Sequence, residues 1–480
     1  MPFHDTAGVS SPLYGAADEN VNGGKLSRYK KFQQDAQRQG STWFKPRPPR
    51  PPGGAGGGPV PPPTSIDYST LKIAAPPSAG LYFGAYEWTA GDIASVEAAA
   101  GIRTSHYSAT SGNWGSGAMS YPSGHPRFSA SIANTVWAQG RVCVAQAYNL
   151  YAGTDTEHPA GFTVDKLLAG QYDSNLSTFA SDLRAFGKPV WIQCGREPNG
   201  IGQDYMGGFG TDGTASLATA IAAGTAYSQF TPPSVPSGAP SNLYSGCSGA
   251  GIPDGIGRLK AGQRYIHDYL VRRQGLHFLT WDSQGWNARY YLDSVNNQDV
   301  YDSADYVGHE AYALQVLQDC NFGNFYLGDA YCDWPSLTFY TLDYYDASWS
   351  WLTGSDILLP TADWLVGFAH TYNQVRAVTQ KPILLAECGF PDGMDSNTAY
   401  GAEKLTTCMN AFLGTYTGVR AVSMWSNYVD WFVADNFPYD CLLRPNTTQA
   451  TALRSVIAAN RTKFHTSVTL TNNIPHPYRP

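Results

Sequence analysis

From about residue 75 onward two hydrophobic rhythms alternate along the chain. Short apolar or period-two runs read as strands, and each is followed by a segment whose apolar residues recur every three to four positions, as in an amphipathic helix. LYFGAYEW (81–88) precedes GDIASVEAAAG, and IRTSHYSAT (102–110) precedes SASIANTVWAQG. RVCVAQAYNLY (141–151) leads into the long helical stretch TVDKLLAGQYDSNLSTFASDLRAFG. KPVWIQCGREPNG (188–200) precedes GRLKAGQRYIHDYLVRRQG after an insertion rich in Gly, Ser and Thr. LHFLTWDSQGW (276–286) has only a short segment after it, and YVGHEAYA (306–313) leads to DWLVGFAHTYNQVRAVTQ. KPILLAECGF (381–390) precedes AYGAEKLTTCMNAFLGTY, and RAVSMWSNY (420–428) precedes TTQATALRSVIAANR.

Eight strands alternating with helices predict a parallel sheet covered by helices. Eight units over this length fit a (β/α)₈ TIM barrel with enlarged βα loops. A doubly wound open sheet is the rival, but it gives no reason for polar and aromatic residues to gather at the end of almost every strand. The predicted barrel spans 75–466, followed by a C-terminal tail, 467–480.

Before the barrel the pattern disappears. Residues 46–74 open with PRPPRPPGGAGGGPVPPPT, a Pro/Gly-rich linker that cannot form a core. Residues 1–45 contain LSRYKKFQQDAQRQG, which reads either as a disordered tail or as a short basic anchor. The first 50 residues carry eight basic and four acidic side chains, +4, whereas the whole chain carries −7. The acidic body argues against a nucleic-acid partner. There is no apolar run long enough to insert into a membrane, and the N-terminus lacks the pattern of a secretory signal. The expected locations are therefore cytoplasmic, extracellular by another route, or on a particle. The eight cysteines are too few for a disulfide scaffold and lack metal-type spacing. Cys143, Cys194 and Cys388 read as buried thiols, while Cys320 with Cys332, or Cys408 with Cys441, are left open as bridges. No metal or other cofactor is expected.

In a (β/α)₈ barrel the active site lies at the C-terminal ends of the strands. Those ends collect Tyr86, Glu87 and Trp88; His106 and Tyr107; Gln146 and Tyr148; and Arg196, Glu197 and Asn199. They continue with Trp281, Asp282 and Trp286; His309, Glu310 and Tyr312; Glu387; and Trp425 with Asn427. Carboxylates framed by Trp, Tyr and His describe a cleft for a polysaccharide, because pyranose rings stack on aromatic faces. Glu197 and Glu387 each end a very apolar run, which delivers the carboxyl into a partly dry site. Two such acids can be split into a protonated and an ionised partner, as glycoside hydrolysis requires. The alternative for both is a buried acid satisfied by hydrogen bonds of the barrel. The aromatic-rich FYLGDAYCDWPSLTFYTLDYYDASWSWL (325–352), read as a connection after the sixth strand, is either a wall of the cleft or packing.

Glutamates after the fourth and seventh strands resemble the signature of the clan of retaining (β/α)₈ glycoside hydrolases. GKPVWIQCGREPNG resembles the strand-four motif of glycoside hydrolase family 26, the β-mannanase-like group, and KPILLAECGF resembles its strand-seven motif. The resemblance implies Glu197 as acid/base and Glu387 as nucleophile, with Tyr312 and Trp425 holding the reacting sugar. It departs at Arg196, where family 26 has His. Arg196, Asn199, Tyr86, Trp88, His106, Tyr148, Trp281, Trp286 and His309 complete the expected substrate contacts. The basic tail and Pro/Gly linker are similar to those of phage tail-associated glycan hydrolases, which implies docking of the N-terminal segment on a virion tail. The expected activity is that of a retaining endo-glycoside hydrolase. A glycan-binding adhesion module and a structural tail protein are the alternatives.

Overall fold

The computed structural model describes residues 72–87, 93–109, 128, 130–147, 163–194, 229–249, 252, 254–285, 321–340, 364–390, 400–426, 428–429, 439–440 and 443–471. After a short strand β1 (Ile73–Ala74), strand β2 (Leu81–Glu87) is followed by α1 (Ile93–Ala100), β3 (His106–Ala109), α2 (Ala130–Ala138) and β4 (Val142–Ala147). Helices α3 (Val164–Leu168) and α4 (Asp173–Phe186) lead to β5 (Val190–Cys194), and α5 (Asp254–His267) leads to β6 (Leu279–Gly285). Next come α6 (Phe322–Phe325), β7 (Trp334–Tyr340), α7 (Trp364–Val378), β8 (Ile383–Gly389), α8 (Tyr400–Gly414) and β9 (Val419–Trp425). The chain continues through β10 (Tyr428–Val429), β11 (Tyr439–Asp440), α9 (Thr448–Ala459), β12 (Phe464–His465) and β13 (Leu470–Thr471).

Strands β2 to β9 pair in sequence order, all parallel, and β9 pairs back onto β2. The result is a closed eight-stranded (β/α)₈ barrel, as the alternating pattern predicts. Side chains divide by strand parity. Tyr82, Val144, Trp191, Trp334, Leu384, Ala386 and Ala421 fill the interior. Phe83, Cys143, Ile192, Phe339 and Met424 belong to the larger core that includes the helices.

Two segments depart from the sequence reading. The helical stretch 163–187 is two helices, because Gly170 adopts a left-handed φ of 74° between them. Thr163 caps the first through its side-chain oxygen, and Gly187, at φ 62°, ends the second. The sixth barrel strand is Trp334–Tyr340, inside the stretch expected to be a connection, whereas YVGHEAYA lies outside the described residues. Pro335 disguised it, since proline ordinarily argues against a central strand. The underlying alternation is regular: Trp334, Ser336 and Thr338 share one face, and Leu337 and Phe339 the other.

The barrel floor is closed by both flanks of the domain. Strands β1 and β13 pair antiparallel across it. Trp334 Nε1 donates to the Ala74 carbonyl at 3.1 Å, and the Ala74 amide donates to Thr280 Oγ1 at 2.8 Å. The Tyr82 hydroxyl donates to the Ala75 carbonyl and accepts from the Thr469 amide, both at 2.8 Å. Packed structure thus extends from Ile73 to Thr471, slightly beyond the expected 75–466. The six described cysteines, Cys143, Cys194, Cys247, Cys332, Cys388 and Cys408, are all buried, and Cys320 and Cys441 lie outside the described residues.

Candidate active site

Strand β8 carries the best-defined element of the site. Its seven residues are all buried, and strict alternation would put Glu387 on the helix-facing side with Ile383 and Leu385. A register shift intervenes: Leu337 pairs with Leu385, but the next residue, Thr338, pairs with Glu387. Ala386 is the extra residue of a β-bulge, a device that re-aims a side chain. Because Thr338 shares the interior face of Trp334 and Ser336, its partner Glu387 also turns into the barrel. Its side chain is fully buried. Cys388 resumes the outward face and joins the helix-side core.

Tyr86 on β2 and Trp425 on β9 are register partners across the seam that closes the barrel. The parity that puts Tyr82 and Ser423 inside puts these two rings inside as well, at the strand ends. Both are buried. The structure therefore brings together three of the expected site residues, Glu387, Tyr86 and Trp425, on the rim formed by β8, β9 and β2.

His106 and Trp281 are placed elsewhere than expected. His106 is the first residue of β3, not its end, and lies within the barrel interior. Its ring nitrogens share hydrogen bonds with the Ser105 and Ser423 hydroxyls, each at 2.9 Å. The ring occupies the space a side chain at residue 84 would fill, which is why Gly84 stands opposite. Burial holds the imidazole neutral, with a pKa lowered to about 3. Trp281 is buried on the outer side of β6, its ring edge-on to His267 of α5 at 5.0 Å. It is a packing residue between strand and helix, not a cleft residue. Arg196, Glu197, Asn199, Trp88, Tyr148, Trp286, His309 and Tyr312 lie outside the described residues, as does Glu310. Glu197 follows Cys194, the last residue of the fourth barrel strand, by three positions.

The interior beneath the rim is polar in a way that a reading of strand ends misses. Gln193 of β5 faces inward beside Trp191, and its register partner on β6 is Asp282. Asp282 is completely buried, and burial raises its carboxyl well above the usual range; the neighbouring Ser336 hydroxyl offsets this only in part. Burial likewise pushes the Cys194 thiol up. Strand parity was the available signal: Thr280 and Asp282 lie on one face of β6, and Trp281 lies on the other. Among the described residues, no three His, Cys, Asp or Glu side chains converge as a metal site. None of the described helices is long and apolar enough to cross a membrane.

No protein-family model matches the chain, and no curated protein matches it. Among solved structures it is similar to the YdhT protein of Bacillus subtilis, at 13% identity and a TM-score of 0.42, covering 81% of this chain and 87% of that one. It is also similar to a modular endo-β-1,4-mannanase from Cellulomonas fimi described as a family 26 glycoside hydrolase, at 14% identity and 0.44, covering 79% and 70%. A third is GH26C from Muricauda sp. MAR_2010_75, at 12% identity and 0.46, covering 84% and 90%. Likenesses at this level assign neither a family nor an activity to the chain; the barrel itself is shown by its own strand pairing.

Proposed function

We propose that the protein is a retaining endo-glycoside hydrolase that cleaves a polysaccharide, with Glu387 as nucleophile and Glu197 as acid/base. The observation that carries this reading is the β8 bulge. It spends an irregularity of the barrel on turning a carboxyl inward at the end of the seventh strand, while Glu197 follows the fourth. Glu387 attacks the anomeric carbon as the bond to the leaving glycan breaks, and Glu197 gives its proton to the departing oxygen. Water deprotonated by Glu197 then releases the sugar from Glu387 and regenerates both carboxyls. This chemistry needs the two groups about 5–5.5 Å apart.

Tyr86 and Trp425 supply flat faces for a pyranose ring, and Trp88, Tyr148, Trp286, His309, Tyr312 and Asn199 extend the cleft along the glycan. Arg196, a fixed cation beside the acid/base, fits an acidic sugar. The N-terminal basic segment serves as an anchor to a larger assembly, of which a virion tail is one. This is supported by the position of β1, which meets the barrel on the face opposite the strand ends.

The test is a glycan-panel assay of wild type, Glu387→Ala and Glu197→Gln, read as release of reducing ends. Cutting by wild type that falls about 10³-fold or more in Glu387→Ala supports the reading. Equal binding by all three proteins without any cutting replaces it with a glycan-binding module.

A further inference from the structure

Most buried acids of the described barrel have a donor of evident purpose. Asp268, fully buried, faces Arg272 and Arg273. Asp254 pairs with Arg258. Asp333 accepts the Trp281 amide at 2.9 Å. Asp282 has no such partner among the described residues: no ion pair and no backbone donor reaches it. Beside it are its register partner Gln193 on β5 and Ser336 on β7. The Ser336 hydroxyl lies against the carboxyl without the alignment of a well-formed hydrogen bond. A carboxyl buried without a cation is expensive, and an aliphatic side chain would fill the same space more cheaply. Such groups concentrate where a site needs them.

Its place in the barrel supplies the need. Ser336 is two residues before Thr338 on the same face of β7, and Thr338 is the register partner of Glu387 at the bulge. Gln193 is on the strand that runs on to Glu197. Asp282 therefore stands on β6 between the two strands that lead to the proposed acid/base and to the support of the nucleophile.

We propose that Asp282 is a positioning residue of the glutamate site, tying β6 to β7 through Ser336 beneath Glu387. In this role the carboxyl is the hydrogen-bond donor to the Ser336 hydroxyl. The proposal rests on the reading of Glu387 as nucleophile. An ionised Asp282 would instead place a second negative charge in the interior on which Glu387 rests. Asn at this position retains a donor and the same shape, whereas Ala retains neither.

Infrared spectroscopy of the full-length protein tests this without any substrate. A protonated-carboxyl C=O band that persists at pH 8, disappears in Asp282→Asn and shifts in frequency in Glu387→Gln is the expected result. Absence of the band, its survival in Asp282→Asn, or a frequency indifferent to Glu387→Gln overturns the proposal, whether or not a glycan is ever cut. On a glycan that wild type cleaves, Asp282→Ala lowers kcat about 10-fold to 100-fold with KM held, and Asn restores most of the loss. Unchanged kcat in Asp282→Ala, or equal losses in both variants that track their thermal stability, overturns it as well. A panel on which nothing is cut refutes the hydrolase reading and leaves the infrared result to judge Asp282.

Discussion

His106 and Asp282 are both ionisable and both sealed inside the barrel, and they bias stability in opposite directions with pH. An unfolded histidine titrates near about 6.5, while folded His106 does so at about 3. Between those values the unfolded chain binds the extra proton, so this contribution to stability is lost as pH falls below about 6.5, by up to about 1.4 kcal/mol per pH unit. Replacing His106 with Gln should flatten the acid limb of a plot of unfolding free energy against pH; an unchanged slope refutes the assignment. For Asp282 the sign reverses. Its folded carboxyl is raised, so its proton is held by the folded state, and stability is greatest below about pH 4 and declines as pH rises from there. Asp282→Asn should therefore gain on wild type in thermal melts as pH rises from about 4, whatever its offset at acid pH. Neither residue was legible from position alone. The apolar runs place both at strand ends, but His106 opens its strand, and the face of Asp282 follows from parity with Trp281, which packs outward. Glu387 was legible as chemistry, although its orientation depends on a bulge that nothing in ILLAECG announces.

Elements were easier to read where a single rhythm governed them. Most helices and seven of the eight barrel strands appear where apolar periodicity puts them, because each strand is apolar enough to be buried on both faces. The exception, Trp334–Tyr340, carries Pro335 and a face of Ser336 and Thr338, the composition expected of a strand that lines a polar interior. Long-range polar clamps were invisible in the sequence, and Arg264 of α5 is the clearest. Its guanidinium donates to the carbonyls of Leu327 at 2.7 Å, Leu243 at 3.0 Å and Ser245 at 2.6 Å, and lies 4.8 Å from the centre of the Tyr331 ring. One side chain thereby fastens the segment before α5 and the approach to β7 to the same helix. Lys cannot reproduce the planar fork of donors. Arg264→Lys should lower unfolding free energy by about 2 kcal/mol or more, through carbonyls left buried without donors. Chemical denaturation checks this, and a loss below about 0.5 kcal/mol would show that the clamp is redundant.

At the scale of the whole molecule, the two ends of the barrel do different work. The rim at β8, β9 and β2 gathers Glu387, Trp425 and Tyr86, whereas the floor is sealed by β1 and β13, which lie far apart in sequence. The seal is specific. Trp334 and Tyr82 each project an aromatic body into the interior and spend their polar tips on backbone groups of the plug. A chain beginning at residue 72 keeps these partners. A chain beginning at residue 76 leaves the Trp334 indole N–H and Thr280 hydroxyl without them, at about 1–3 kcal/mol for each buried group left unpaired. The shorter chain should therefore melt several degrees lower than the longer one, with the loss appearing in the step from 72 to 76. Equal melting temperatures would mean that the plug lies on the barrel without holding it. A drop would make the floor a structural unit shared by the two flanks, so that a segment attached ahead of Ile73 pulls on the face away from Glu387.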